Sequence, residues 1–266
     1  MKEHMQAFQK KILDYYKQKG RNLPWRNTTN RYHILVSEIM LQQTQVDRVI
    51  PKYKEWLQTF KTPSALAAAP LSKVLQLWSG LGYNNRAKRL HDAAKIIAQK
   101  HNGQVPDTIE ELIKLPGVGP YTARSVLIFA DNENLATVDT NIRRILIHEC
   151  KLKETITDKE LFRKAQETLP KGKSREWHNA LMDYGAQQLT SKASGIKPKT
   201  TQPPFKGSRR YYRGRIINHL TSNEDLSLKK AKKLFPDCEQ DLTTIFQELE
   251  QEGLIQKKSN TYRITS

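Results

Sequence analysis

"LPGVGPYTARSV", residues 115–126, sets two prolines and two glycines immediately ahead of an apolar, helix-like run. Glycine is free to take positive φ and has no Cβ to block a close approach, so Gly117 and Gly119 are expected to turn the chain with positive φ. Pro120 suits the first position of a helix, where its missing N–H is no loss. Apolar residues recur at helical spacing in Ile109–Lys114 before the turn and in Thr122–Ala130 after it. The stretch therefore reads as two helices joined by a tight hairpin. Amide groups at such a turn point into a concavity suited to an anion, and the helix dipole reinforces them. Gly117, Val118, Gly119 and Thr122 are the candidate contacts to a phosphate. An ordinary helix–helix connection would carry the same pattern.

Charge favours the phosphate. Among 266 residues, 45 Lys and Arg stand against 27 Asp and Glu, a formal net charge of +18. A protein this basic is suited to a polyanionic partner, and a hairpin grip on double-stranded DNA would be independent of sequence. No apolar run approaches the roughly 20 residues of a spanning helix, and MKEHMQAFQKK has no signal-peptide core. The expectation is a monomeric protein of the cytoplasm, associated with the chromosome, or of the nucleus in a eukaryote, with no membrane partner. Cys150 and Cys238 are the only cysteines, too few for a disulfide framework, a four-cysteine cluster or a recognisable metal site.

The chain reads as mainly α. Residues 1–186 form helices broken by Pro- and Gly-rich punctuation, among them one expected over Tyr32–Val49 and another over Ile50–Thr59. Residues 187–207 lack acidic side chains and read as a basic linker. Residues 208–266 then form a small α+β unit with helices over Arg209–Leu220, Ser227–Leu234 and Asp237–Glu252. Two short strands follow around Ser259 and Asn260, which is a winged-helix pattern. From residue 205 on there are 12 basic and 8 acidic side chains, so the larger domain carries most of the charge. The would-be recognition helix holds Glu239, Asp241, Glu248, Glu250 and Glu252, which repel phosphate. The basic RRYYRGR helix or the wing could touch DNA instead, or the unit could be a protein-contact module.

Two carboxylates sit where apolar side chains or caps are expected. Glu38 shares a helix face with Ile34, Leu35, Ile39 and Leu41. Desolvation there would raise its pKa and let it deliver a proton near neutral pH. The same stripe continues through Gln42 and Gln45. Asp139 precedes a helical pattern and reads as an N-cap, yet a rigidly held carboxylate beside a phosphate grip could also stabilise a developing sugar cation. Cleaving an N-glycosidic bond needs both functions, a proton for the leaving base and a negative neighbour for the oxocarbenium-like sugar.

Five segments together carry a family likeness: VSEIMLQQTQVDRVIPKY (36–53), LWSGLGYNNRAKRLHDAA (77–94), LPGVGPYTARSV, TVDTNIRRI (137–145) and ALMDYGA (180–186). Over Leu23–Ala186 the chain resembles the MutY, or adenine DNA glycosylase, branch of the helix-hairpin-helix DNA glycosylases. The resemblance implies a two-lobed helical domain that flips a base out of kinked duplex DNA carrying a mispair or lesion. It assigns Glu38 to protonating the leaving adenine and Asp139 to stabilising the sugar cation or its adduct. It places Tyr121 and Asn141 around that aspartate, Gln42 as the wedge with Gln43 beside it at the DNA, and Tyr83 next to the partner base. Lyase-active relatives carry lysine where this chain has Tyr121, so the resemblance implies a monofunctional enzyme that leaves an abasic site.

The sequence departs from that family in three places. Four cysteines that bind a [4Fe–4S] cluster normally follow the MDYGA motif, whereas residues 187–201 here read QQLTSKASGIKPKTT, so no cofactor is expected and Lys192, Lys197 and Lys199 could take over DNA contacts. The winged unit stands where a larger lesion-inspecting domain is usual. Asn84 replaces the second of a tyrosine pair. The leading expectation is excision of adenine opposite 8-oxoguanine or guanine. The alternatives are a mismatch-specific thymine or uracil glycosylase and a DNA-binding or lesion-sensing protein without catalysis.

Overall fold

The computed structural model describes residues 2–197, 202–222 and 225–266. Its helices run α1 Lys2–Lys19, α2 Arg31–Leu41, α3 Val46–Thr59, α4 Pro63–Ala67, α5 Leu71–Trp78, α6 Asn85–Lys100, α7 Ile109–Leu112 and α8 Pro120–Asp131. After α9 Thr140–Glu149, α10 Asp158–Thr168 and α11 Ser174–Asp183, a π-helical turn spans Tyr184–Gln188 and α12 covers Ser191–Ser194. The chain ends with α13 Arg209–Thr221, α14 Leu228–Leu234, α15 Leu242–Gln251 and an antiparallel hairpin of β1 Ile255–Lys258 with β2 Thr261–Ile264. No described helix is long and apolar enough to cross a membrane.

The mainly helical reading and the terminal hairpin agree with the structure, and four details differ. The helix expected over Tyr32–Val49 is two helices. Arg86 takes the carbonyls of Ile39, Met40 and Gln42 at 2.5–3.0 Å, Gln43 turns at φ +54°, and α3 restarts at Val46. Gln42 and Gln45 therefore lie on a turn and at an N-cap rather than along a helical stripe. Helix α4 has no counterpart in the sequence reading; Thr62 caps it through Ala65 N at 3.2 Å, with Pro63 at its first position. Helix α15 starts later than Asp237 because the Asp241 carboxylate caps it through Thr243 and Thr244. The basic segment after Ala186 is partly folded: Leu189 and Ile196 are buried, and Thr190 caps α12. Residues 198–201 of that segment, including Lys199, lie outside the described residues.

Packing divides the chain into two units that are discontinuous in sequence. One contains residues 1–38, 107–114 and 118–201; the other contains 39–106, 115–117 and 202–266. Residues 208–266 share the second unit with 39–106. Within the second unit α13 lies against α5, and Ser79 donates to Asn218 Oδ1 at 3.0 Å. Trp78, on α5, meets Trp56 edge-on with centroids 5.6 Å apart, which anchors the same helix to α3. Helices α13–α15 and the hairpin keep the winged-helix order, with Leu226 bridging to Tyr262.

The first unit packs α1 and α11 around Phe8, Ile12, Trp177 and Leu181, with α9 and α10 adding Ile142, Ile145, Leu146 and Leu161. At its end α11 presents Asp183, wholly buried, to two arginines. Arg21 Nε donates to its carboxylate at 2.7 Å, and Arg26 reaches both oxygens at 2.7 and 2.8 Å. Burial pushes the Asp183 pKa up, but the bonds from Arg26 and Arg21 outweigh it and hold the carboxyl below the usual aspartate range. Asp183→Asn would leave two guanidinium groups around a neutral amide. Urea denaturation at neutral pH is expected to show a loss of about 3–5 kcal/mol, whereas a loss under 1 kcal/mol would show the pairing to be dispensable.

Candidate active site and DNA interface

The first unit gathers Glu38, Tyr121, Asp139 and Asn141. Glu38, on the third turn of α2, is 8% exposed, and burial lifts its pKa from 4.5 to about 7; the negative Asp139 adds to the rise and the Ser125 hydroxyl partly offsets it. The unusual position of this carboxylate on an apolar face has the consequence expected of it. Near neutral pH Glu38 can hold a proton and release it.

Asp139 meets different surroundings. It is the N-cap of α9, its Oδ1 accepting from Ile142 N at 2.7 Å and its Oδ2 from Asn141 Nδ2 at 3.2 Å. Arg144 holds the Asn141 amide oxygen at 2.6 Å, and is itself fixed by the carbonyls of Gly185 and Leu189 at 2.7 and 2.6 Å. Burial raises the Asp139 pKa, and these N–H donors with the Arg144 charge pull against that rise. The cap and the candidate site carboxylate are one residue. Arg144 was not singled out from sequence; its position three residues after Asn141, on the same face of a helix, was the available signal.

Tyr121 feels both carboxylates. Burial, then the charges of Glu38 and Asp139, push its phenol well above the ordinary range, so it stays a neutral donor. Tyr121 and Asp139 line a cleft of about 710 Å³ with Arg124, Arg143 and Phe162, and no lysine is among its lining residues. Glu38 does not line it.

The hairpin is built with one glycine in the predicted conformation. Gly117 has φ +82°, and a Cβ there would stand 3.0 Å from Arg89 Cβ, so both conformation and space require glycine. Gly119 is extended at φ −94° and serves as the N-cap of α8, with no atom within 4 Å of an added Cβ. The expectation of positive φ there is corrected: an N-cap takes β-region angles. Val118 and Thr122 are 6% and 3% exposed, so their side chains pack inward and only their backbone could meet a ligand.

The second unit holds Gln42, Gln43 and Tyr83. Arg86, buried to 8%, donates to the carbonyls of Gln42, Leu81 and Gly82 and to Thr44 Oγ1, clamping the 39–44 turn to the 81–82 turn. Its guanidinium also lies 5.2 Å from the Trp78 ring and 5.5 Å from the Tyr83 ring. Burial lowers its pKa to about 10, which leaves it charged at neutral pH. Gln43 and Tyr83 both turn with positive φ, at 54° and 50°.

Glu38 and His178 give opposite pH dependences to stability. His178 is 1% exposed, accepts from Thr137 N at 3.1 Å, and burial lowers its pKa from 6.5 to about 4. Between pH 4.5 and 6.5 folding takes a proton up at Glu38 and gives one off at His178, so the slopes oppose each other. Glu38→Gln removes the first contribution. Its stability should rise by about 2–3 kcal/mol from pH 4.5 to 6.5, more steeply than the unsubstituted protein; parallel urea series with equal slopes would contradict burial of the ionisable Glu38.

Residues 36–171 match the HhH-GPD superfamily of base excision DNA repair proteins. The adenine DNA glycosylase of Mycobacterium tuberculosis is 36% identical over 237 residues, covering 80% of this chain and 78% of that protein. The human adenine DNA glycosylase is 36% identical over 200 residues, and the match covers 69% of this chain but 36% of that longer protein. Among solved structures, a thermostable thymine-DNA glycosylase superposes with a TM-score of 0.68 at 28% identity, over 74% of this chain and 91% of that one. Endonuclease III in a non-covalent DNA complex, at 20% identity and a TM-score of 0.65, shares the fold. With a hairpin built on Gly117 and a carboxylate-capped α9 following it, the chain belongs to the HhH-GPD superfamily of base excision DNA repair proteins.

Proposed function

We propose that this protein removes adenine from double-stranded DNA in which it is mispaired with 8-oxoguanine or guanine, hydrolysing the N-glycosidic bond. The observation that carries this reading is the contrast between Glu38, whose pKa near 7 suits a proton donor, and Asp139, held at a helix N-terminus among N–H donors. Sequence relatives named adenine DNA glycosylase, from Mycobacterium tuberculosis to human, support the choice of base.

In the reaction the C1′–N bond breaks with its electron pair leaving on the base, and Glu38 delivers the proton that makes the base a neutral leaving group. The cation left on the sugar faces the Asp139 carboxylate, which Asn141 and Arg144 orient. Water adds at C1′ and loses a proton, giving the abasic site. The hairpin amides around Gly117 and Gly119 hold the phosphate backbone, Gln42 fills the space left by the flipped base, and Gln43 and Tyr83 contact the DNA. With Tyr121 where a lyase would need an amine, the enzyme is monofunctional, and it acts on the chromosome as a monomer.

The protein works without a cluster. Its two cysteines lie far apart in sequence at 150 and 238, and the segment after Tyr184 is tied instead by Arg144 to Gly185, Leu189 and Ser191. Metal analysis of purified, active protein should find no stoichiometric iron; iron at four atoms per chain would overturn this.

The thymine-DNA glycosylase likeness keeps a second reading open, removal of thymine or uracil opposite guanine. Duplexes carrying A:8-oxoguanine, A:G, T:G and U:G, incubated and then treated with alkali, separate the two. Nicks should appear in the adenine strands and only after alkali. Cutting of T:G with both adenine duplexes intact would sink the proposal.

Asp139→Asn should lower single-turnover excision by about 10²–10³-fold or more while DNA affinity stays near that of the parent. Glu38→Gln should lower it by about 10²–10⁴-fold. Because Glu38 must be protonated to act, the parent rate should fall as pH rises through about 7. Loss of ionised Asp139 should bring it down again in acid, above the ordinary aspartate range. An alkaline limb that survives in Glu38→Gln would assign it to another group.

A further inference from the structure

The winged unit's first helix, α13, brings one arginine to the Tyr83 turn that no carboxylate claims. Arg209 and Arg213 pair with Glu248 of α15, and Arg213 also with Glu252. Arg215 stacks on Tyr211 and Phe235 and stands 3.9 Å from Asp237. Among the described residues Arg210 has no acidic partner. Its guanidinium lies 5.4 Å from the Tyr83 ring centroid and donates to the Tyr83 hydroxyl at 2.5 Å.

The group seated on this arginine is an amide. Gln202 Oε1 accepts from Arg210 and from the Tyr83 hydroxyl, while Gln202 Nε2 donates to Gln43 Oε1 at 2.7 Å. An O=C–N–H edge is thus read by two donors and one acceptor, all on surfaces belonging to one unit. The O8 and N7–H of 8-oxoguanine form the same edge, as do the O6 and N1–H that guanine and 8-oxoguanine share. Cytosine puts an amino donor where the oxygen belongs, facing Arg210 donor to donor.

Space is also kept. A cavity of about 650 Å³ opens between the 43–45 and 80–85 turns and α13, and its wall includes Gly214. Glycine in mid-helix weakens the helix, and a Cβ at Gly214 would meet no atom within 4 Å. Nothing in the described protein requires that gap.

We propose that Arg210, stacked on Tyr83 and assisted by Gln43, reads the lactam edge of the 8-oxoguanine or guanine opposite the excised base, and that Gln202 holds the place of that edge in the free protein. The assignment rests on the glycosylase reading for the presence of a partner base, though not on which base is removed. A planar guanidinium with fixed N–H donors suits a base-edge oxygen, and the ring beneath it supplies a stacking face.

Fluorescence anisotropy with duplexes holding a stable abasic analogue opposite 8-oxoguanine, guanine or cytosine tests this. Those duplexes have no base to excise, so a wrong choice of excised base cannot disturb the result. The parent protein should bind the 8-oxoguanine duplex about tenfold or more tightly than the cytosine duplex, the scale of one good base-edge contact. Arg210→Ala should cut that ratio to about threefold or less, the cytosine duplex losing far less affinity than the other two. Gln202→Ala, which vacates the edge, should tighten binding opposite 8-oxoguanine. Gly214→Leu, which favours the helix and fills the cavity, should lower the same ratio in a fully folded protein. A parent with no partner preference, or an Arg210→Ala protein that weakens all three duplexes in equal proportion or none, would overturn the proposal.

Discussion

Backbone that leaves regular structure inside a protein must still find hydrogen-bond donors, and in this chain buried guanidinium groups supply them. Arg86 serves the carbonyls left where α2 stops and where the 81–82 turn passes below Tyr83. Arg144 serves Gly185 and Leu189, where the chain leaves α11 through a π-helical turn. Arg21 and Arg26 converge on Asp183. Gln43 and Tyr83 stand on the turns that Arg86 ties, and Arg144 also holds the Asn141 amide that bonds Asp139.

The same economy separates two carboxylates by environment. Glu38 is buried, and desolvation dominates its titration. Asp139 is equally enclosed but sits at a helix N-terminus, where two backbone N–H groups, the Asn141 amide and the Arg144 charge favour the ionised form. Two neighbouring carboxylates thereby answer to different causes at the same pH, an arrangement that the proposed acid-assisted cleavage of a glycosidic bond would use. The capping hydrogen bond that starts α9 is also the bond that aims the anion.

The C-terminal unit makes a different use of charge. Glu248 and Glu252 looked unfavourable for DNA because they lie on the helix that a winged-helix protein usually inserts. In the structure they neutralise Arg209 and Arg213 of α13 instead. Among the described residues Arg210 is the arginine of the RRYYRGR segment with no carboxylate partner, and it faces Tyr83.

Much of this was legible in the sequence, because it depends on local steric and periodic rules. Gly117 in a tight turn ahead of Pro120, the apolar face that isolates Glu38, Asp139 as a cap and the hairpin over Ser259–Asn260 all follow from neighbours a few residues away. The break at Gln42–Gln45 did not, since the residue that ends α2 is Arg86, more than forty positions later. The expected positive φ at Gly119 failed because a glycine can serve equally as an extended N-cap. Arg144, Arg210 and Gln202 were ordinary polar letters until folding brought them to Asn141 and Tyr83. Sequence alone determined most of the helices, the turn at Gly117 and the kinds of side chain available for chemistry. Tertiary structure decided which of them lose water and which gain a partner, because desolvation and hydrogen-bond pairing depend on distance in space and not along the chain.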